Sequence, residues 1–257
     1  MFMPIRVLFL AVLVAVAGCG KREASSSDPI KVAAASDLAF AFREVGAAFE
    51  KKTGKKVTFT FGSTGQLAKQ ISEGAPYDVF AAANVSFVDE VVKEQACDGA
   101  TKAMYARGRI VVWTKRGGAP VTALTDLTDA RFVKIAIANP EHAPYGKAAK
   151  QAFETAGIWD TVKPKIVYGE NVSQTLQFAQ TGNVEAAIAA LSLAKASDDG
   201  EYMVIDENLH KPIDQALVVC KRGVNQAVAK EFAAFVNSDE GRAIMKRFGF
   251  LLPGESA

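Results

Sequence analysis

The sequence predicts an α/β fold of mostly parallel sheets with helices on both faces. Short apolar runs alternate along the chain with stretches of helical period, and strands alternating with helices build such sheets. Nearly half of the 257 residues are apolar (49%), enough for a substantial core. No long repeat or internal low-complexity segment breaks the alternation.

The elements follow in order. I-K-V-A-A-A (30–35) reads as a buried strand. The stretch 38–52 has a helical period, with Phe42, Val45 and Phe49 on one face. K-V-T-F-T-F (56–61) alternates as a strand does, and 67–73 reads as a short helix. Strands are expected at 77–83, 109–115, 133–138, 165–168, 184–190 and 213–220. Helices are expected at 87–94, 147–156, 172–181, 225–236 and 240–248. Gly157 and Gly182 stop two of these helices.

The N-terminal end reads differently. Arg6 precedes V-L-F-L-A-V-L-V-A-V-A-G (7–18), an uncharged run too short to span a bilayer comfortably. Residues 1–18 have the form of a secretory signal. V-A-G-C resembles the lipobox of bacterial lipoproteins, so Cys19 is expected to carry lipid and the protein to work at the cell surface or in the periplasm. Residues 19–29 are polar and serine-rich, as in a flexible tether.

Composition excludes some functions. Thirty basic and 28 acidic residues leave a net charge of +2, with no basic run, which argues against a nucleic-acid partner. Cys97 and Cys220 remain after Cys19. A disulfide and a buried free thiol in the apolar run A-L-V-V-C both stay open, the thiol being preferred.

Ligands of parallel α/β sheets bind where strand meets helix. Four such turns share one chemistry: A-A-A-S-D-L (33–38), F-G-S-T-G-Q (61–66), N-P-E-H-A-P-Y-G-K (139–147) and G-E-N-V-S-Q (169–174). A helix start presents unpaired N–H donors and partial positive charge, and so attracts anions. Ser36, Ser63 and Thr64 add neutral hydroxyl donors with no lysine or arginine beside them. That suits a small, compact dianion. Each turn taken singly is also explained as an ordinary N-cap.

In combination these motifs, with P-I-D-Q-A-L-V-V (212–219) and K-R-F-G-F (246–250), resemble the molybdate-binding proteins of bacterial ABC importers. The resemblance covers nearly the whole chain after the tether. It implies two α/β lobes with a tetrahedral oxyanion, molybdate or tungstate, clamped between them. It implies a monomer that meets a membrane permease and needs no cofactor, metal ligand or catalytic residue. The lobes are expected at 30–108 with 218–257, and at 109–217. The chain would cross between them near 106–112 and 215–220.

Carried over by position, Ser36 supplies a hydroxyl and an N–H, and either Ser63 or Thr64 another such pair. Tyr145 and Val172 supply backbone N–H groups. Some family members place a tyrosine where this chain has Ala190, so the Tyr145 hydroxyl is expected to replace it. Asp37 is expected to cap its helix with the carboxylate turned outward. Turned inward, it would suit the remaining proton of phosphate, and sulfate or phosphate is the alternative ligand. A secreted hydrolase is the other alternative, with Ser36 or Ser63 beside His142. The chain lacks the G-x-S-x-G elbow, and its second histidine, His210, falls in a loop expected at the surface.

Overall fold

The computed structural model describes residues 28–255. The signal-like segment, Cys19 and most of the tether lie outside these residues. Two five-stranded sheets organise the chain. The first holds β1 (Ile30–Ala35), β2 (Val57–Gly62), β3 (Val79–Ala82), β4 (Cys97–Gly108) and β10 (Ile213–Cys220). The second holds β5 (Ile110–Lys115), β6 (Ile135–Ala138), β7 (Ile166–Gly169), β8 (Ala186–Ala190) and β9 (Gly200–Val204).

The two sheets are wired alike. Their strand orders are β2-β1-β3-β10-β4 and β7-β6-β8-β5-β9. In the first, β10 runs against both neighbours and the other strands share one direction. In the second, β5 does the same. The reversed strand in each is the one by which the chain arrives from the other sheet. Arg109 alone separates β4 from β5, and the return runs from Val204 to Ile213.

This places the return crossing earlier than expected. All of β10, from Ile213, belongs to the first sheet, where Ile213 pairs with Gly108 and Gln215 with Ala106. The crossing is therefore complete before 215–220, and the lobe boundary at 217/218 is corrected to the residues before Ile213. Pro212, which cannot donate to a ladder, marks the entrance to the strand.

The helices are α1 (Ala39–Thr53), α2 (Thr64–Ser72), α3 (Val85–Lys93), α4 (Pro144–Thr155), α5 (Trp159–Val162), α6 (Val172–Gln180), α7 (Leu191–Ala194), α8 (Gln226–Val236) and α9 (Asp239–Arg247). A 3-10 turn at Ser36–Leu38 leads into α1. Phe42, Val45 and Phe49 of α1 are buried as the period requires, and Phe42 and Phe49 meet Phe232 of α8 edge-on. Each such buried side chain contributes about 1.5–3 kcal/mol. Gly54 ends α1 in the left-handed conformation.

Two strands were not expected, β4 and β9. Both are sheet edges. Their sequences, C-D-G-A-T-K-A-M-Y-A-R-G and G-E-Y-M-V, carry charges and glycine, as edges that resist further pairing do. Cys97 and Cys220 are joined in a disulfide between β4 and β10. That corrects the preferred free thiol: two residues 123 positions apart are cross-strand neighbours. Among the described residues, no helix is long and apolar enough to cross a membrane.

Candidate functional site

The carboxyl ends of β1, β2, β6 and β7 face one another across the gap between the sheets. There Ser36, Asp37, Ser63, Thr64, Tyr145 and Val172 line one small cavity of about 10 Å³, with Ala35, Gly62, Ala83, Ala143, Pro144 and Asn171. Pockets for drug-sized ligands run from roughly 300 to 1,000 Å³; this one is far too small for such a ligand. Among the described residues no lysine, arginine or histidine lines it. Ala190 is not among the lining residues. It precedes α7 and pairs with Ile110 of β5.

The helix starts at this cavity are unusual in being uncapped. Neither the turn at Ser36 nor α1 behind it has a side-chain cap. Ser63 stands at the N-cap of α2 yet makes no capping bond. Ala143 at the N-cap of α4 has no side chain for one. A buried helix start leaves several N–H groups unpaired, and they need partners. None of these three turns has a side-chain cap, although at α2 the Gly65 N–H is taken by the His142 carbonyl. The ordinary N-cap explanation holds in part for the fourth, where Asn171 accepts from Ser173 and Gln174 of α6.

The hydroxyls divide. Among the described residues Ser36 Oγ makes no hydrogen bond, while its carbonyl accepts from Ser173 Oγ at 2.9 Å. Thr64 Oγ1 accepts from the Ala83 N–H at 3.2 Å, which fixes it to its own lobe. Ser63 Oγ donates to the His142 carbonyl at 2.7 Å and lies 2.8 Å from His142 Nδ1. The Gly65 N–H donates to the same carbonyl at 2.9 Å. A side chain on Gly65 would place its Cβ 2.8 Å from that oxygen, so glycine permits this close approach.

Asp37 overturns an expectation. Its carboxylate is turned inward, buried, and caps nothing. Tyr145 Oη donates to its Oδ2 at 2.8 Å, and Gln215 Nε2 donates to the same oxygen at 2.7 Å. Ser192 Oγ of α7 donates to the Asp37 carbonyl at 2.7 Å. The reason is packing: Tyr145 reaches over Gly108, where any Cβ would sit 2.1 Å from its hydroxyl, and this brings a donor to Asp37. The Tyr145 hydroxyl, expected to stand in for a tyrosine at position 190, thus gives its proton to Asp37, while its backbone N–H is not involved. Burial pushes the Asp37 carboxyl up to about 6, partly offset by the Gln215 and Tyr145 bonds. Burial also raises the Tyr145 and Tyr105 hydroxyls well above the usual range, with Asp37 adding to both.

His142, Ser63 and Glu170 come together, but as a clasp between lobes. His142 Nε2 lies 3.9 Å from Glu170, beyond hydrogen-bond reach, and Glu170 is exposed. Ser63 Oγ lies within reach of both the His142 carbonyl and Nδ1, and Glu170 is too far from the ring to orient it by a hydrogen bond. His210 is buried rather than at the surface, with Nδ1 2.8 Å from the Lys211 carbonyl. Among the described residues no three His, Cys, Asp or Glu side chains are grouped as a metal ion would need.

A family model described as bacterial extracellular solute-binding protein matches residues 30–251. The chain belongs to this family. Among solute-binding relatives, the molybdate-binding protein ModA of Rhodobacter capsulatus is 33% identical over 227 residues, covering 88% of this chain and 90% of that one. A Bacillus subtilis protein, YvgL, named provisionally as an ABC transporter substrate-binding lipoprotein, is 33% identical over 95% of this chain and 96% of its own. The solved periplasmic molybdate-binding protein of Azotobacter vinelandii superposes with a TM-score of 0.82 at 29% identity, covering 87% of this chain and 99% of that one.

Sequence reasoning missed the residues that join the lobes. Ser173, Ser192 and Gln215 had no role assigned. Gln215 carried a signal: it is a lone amide inside the buried strand I-D-Q-A-L-V-V-C, and buried amides need partners.

Proposed function

We propose that this solute-binding protein captures molybdate, and tungstate too, outside the cytoplasm and delivers it to the membrane permease of an ABC importer. One observation carries the reading: three uncapped helix starts, from both lobes, converge on a small cavity without a cationic side chain. Backbone N–H groups at Ser36, Thr64, Tyr145 and Val172, with the Ser36 hydroxyl, are the donors. Of the pair left open, Thr64 serves through its N–H, and Ser63 serves closure through His142. The named molybdate-binding relatives support the ligand. The Bacillus lipoprotein supports a lipid at Cys19 as the anchor. The protein acts as a monomeric binder and not as an enzyme, with no cofactor of its own.

Ligand binding across the cleft favours the closed arrangement by its differential affinity. The test is calorimetry on the purified protein with molybdate, tungstate, sulfate and phosphate in turn. Tight binding of the first two with sulfate silent is expected. Silence from all four contradicts the reading. A second reading, hydrogen phosphate, is favoured by the inward Asp37 alone, and tighter binding of phosphate than molybdate would establish it.

A further inference from the structure

Asp37 is the feature that anion capture by neutral donors does not explain. Its Oδ2 is saturated by Tyr145 and Gln215. Its Oδ1 is buried and, among the described residues, has no hydrogen-bond partner, in a residue that lines the cavity. Buried polar atoms without partners are rare and call for a reason. A carboxylate there would stand beside a bound dianion, and like charges in a water-excluded space disfavour ionisation of the weaker acid.

We infer that the site takes up its oxyanion together with one proton, held on Asp37 Oδ1 and donated to an anion oxygen. This deepens the proposed function and rests on it. The balance is simple: Asp37 carboxylate, one solvent proton and one dianion give the neutral acid hydrogen-bonded to the dianion. No bond in the anion breaks. The proton makes Oδ1 a donor like the others around the cavity and removes the third negative charge.

Among the described residues the surroundings provide no competing cation. The groups facing Asp37 are Tyr145 of α4, Tyr105 of β4, Gln215 of β10 and Ser192 of α7, all neutral at physiological pH. From α6, the nearby Ser173 bonds the Ser36 carbonyl. β2 carries no charged residue. On α1, the Arg43 guanidinium lies over the Phe61 ring, and on β4, Arg107 is paired with Asp214. The upward displacement of the carboxyl by burial places its titration close to neutrality before any anion arrives.

The test is calorimetry of molybdate binding between about pH 6 and 9, repeated in two buffers of different ionisation enthalpy. Uptake approaching one proton per anion is expected at the alkaline end, with the dissociation constant rising about tenfold per pH unit there. Asp37→Asn should abolish the uptake and flatten the profile. Molybdate binding with no proton uptake and a flat profile in the wild-type protein would overturn the inference while leaving the proposed function intact. An Asp37→Asn variant that keeps the wild-type uptake would also overturn it. Absence of molybdate binding at every pH would instead sink the proposed function.

Discussion

Seven helices in the described chain have eight or more residues, and their starts fall into two kinds. Those of α3, α6, α8 and α9 are capped by the side chains of Asn84, Asn171, Asn225 and Ser238. Those of α1, α2 and α4 have no side-chain cap, and α2, α4 and the Ser36 turn that leads into α1 open at the cavity between the lobes. Capping costs a sequence one residue and stabilises a helix by about 1 kcal/mol. Leaving three buried starts without side-chain caps directs helix-start N–H groups toward one place. The ligand then does there what asparagine and serine do elsewhere.

The contrast can be broken at several points. Gly65→Val should have the largest effect. It drives a side chain against the His142 carbonyl and keeps the lobes apart. Affinity for molybdate should fall more than about 100-fold, close to the 3 kcal/mol that severe overpacking costs. Far-UV circular dichroism should be unchanged. Retained affinity would mean that closure does not run through this contact.

Asp37→Asn should alter stability in a pH-dependent way. The folded carboxyl titrates near 6 instead of 3.8. Between those values the folded protein holds a proton that the unfolded chain has lost, so this group's contribution falls as pH rises through the window. Above it the full penalty, about 3 kcal/mol, is present. Relative to wild type, the variant should therefore gain stability between about pH 4 and pH 7. Denaturant titrations giving the same difference at both ends would contradict this.

Ser36→Ala removes a hydroxyl with no partner of its own. It should weaken molybdate binding by about 1.5–3 kcal/mol and barely change the melting temperature. Asn84→Ala is the counterpart at a capped start. It should cost about 1 kcal/mol of stability by denaturant titration and leave affinity unchanged. If the two substitutions had the same profile, the division between capped and uncapped starts would lose its meaning.

Much of this was legible in the sequence, for physical reasons. Strands buried on both faces, such as β1 and β8, announce themselves as continuous apolar runs. The edges β4 and β9 do not, because half-exposed edges carry charges and glycine. Each turn at the cavity was recognisable as a helix start, and its residues by resemblance. Whether a start was capped was not legible, since Ser63 is a good capping residue that bonds His142 instead. The direction of Asp37 was hidden for the same reason. It depends on Tyr145 and Gln215, which lie 108 and 178 positions away in the chain. The Cys97–Cys220 bond likewise depends on a register that only the folded sheet supplies.

The most direct test of the account is a crystal structure of the protein grown with tungstate, with the heavy atom located by its anomalous scattering. The account predicts one tungsten in the cavity between the lobes. Its oxygens should lie about 2.7–3.2 Å from the backbone nitrogens at the uncapped starts of the Ser36 turn, α2 and α4. Tungsten found elsewhere, with those nitrogens still unpaired, would contradict it.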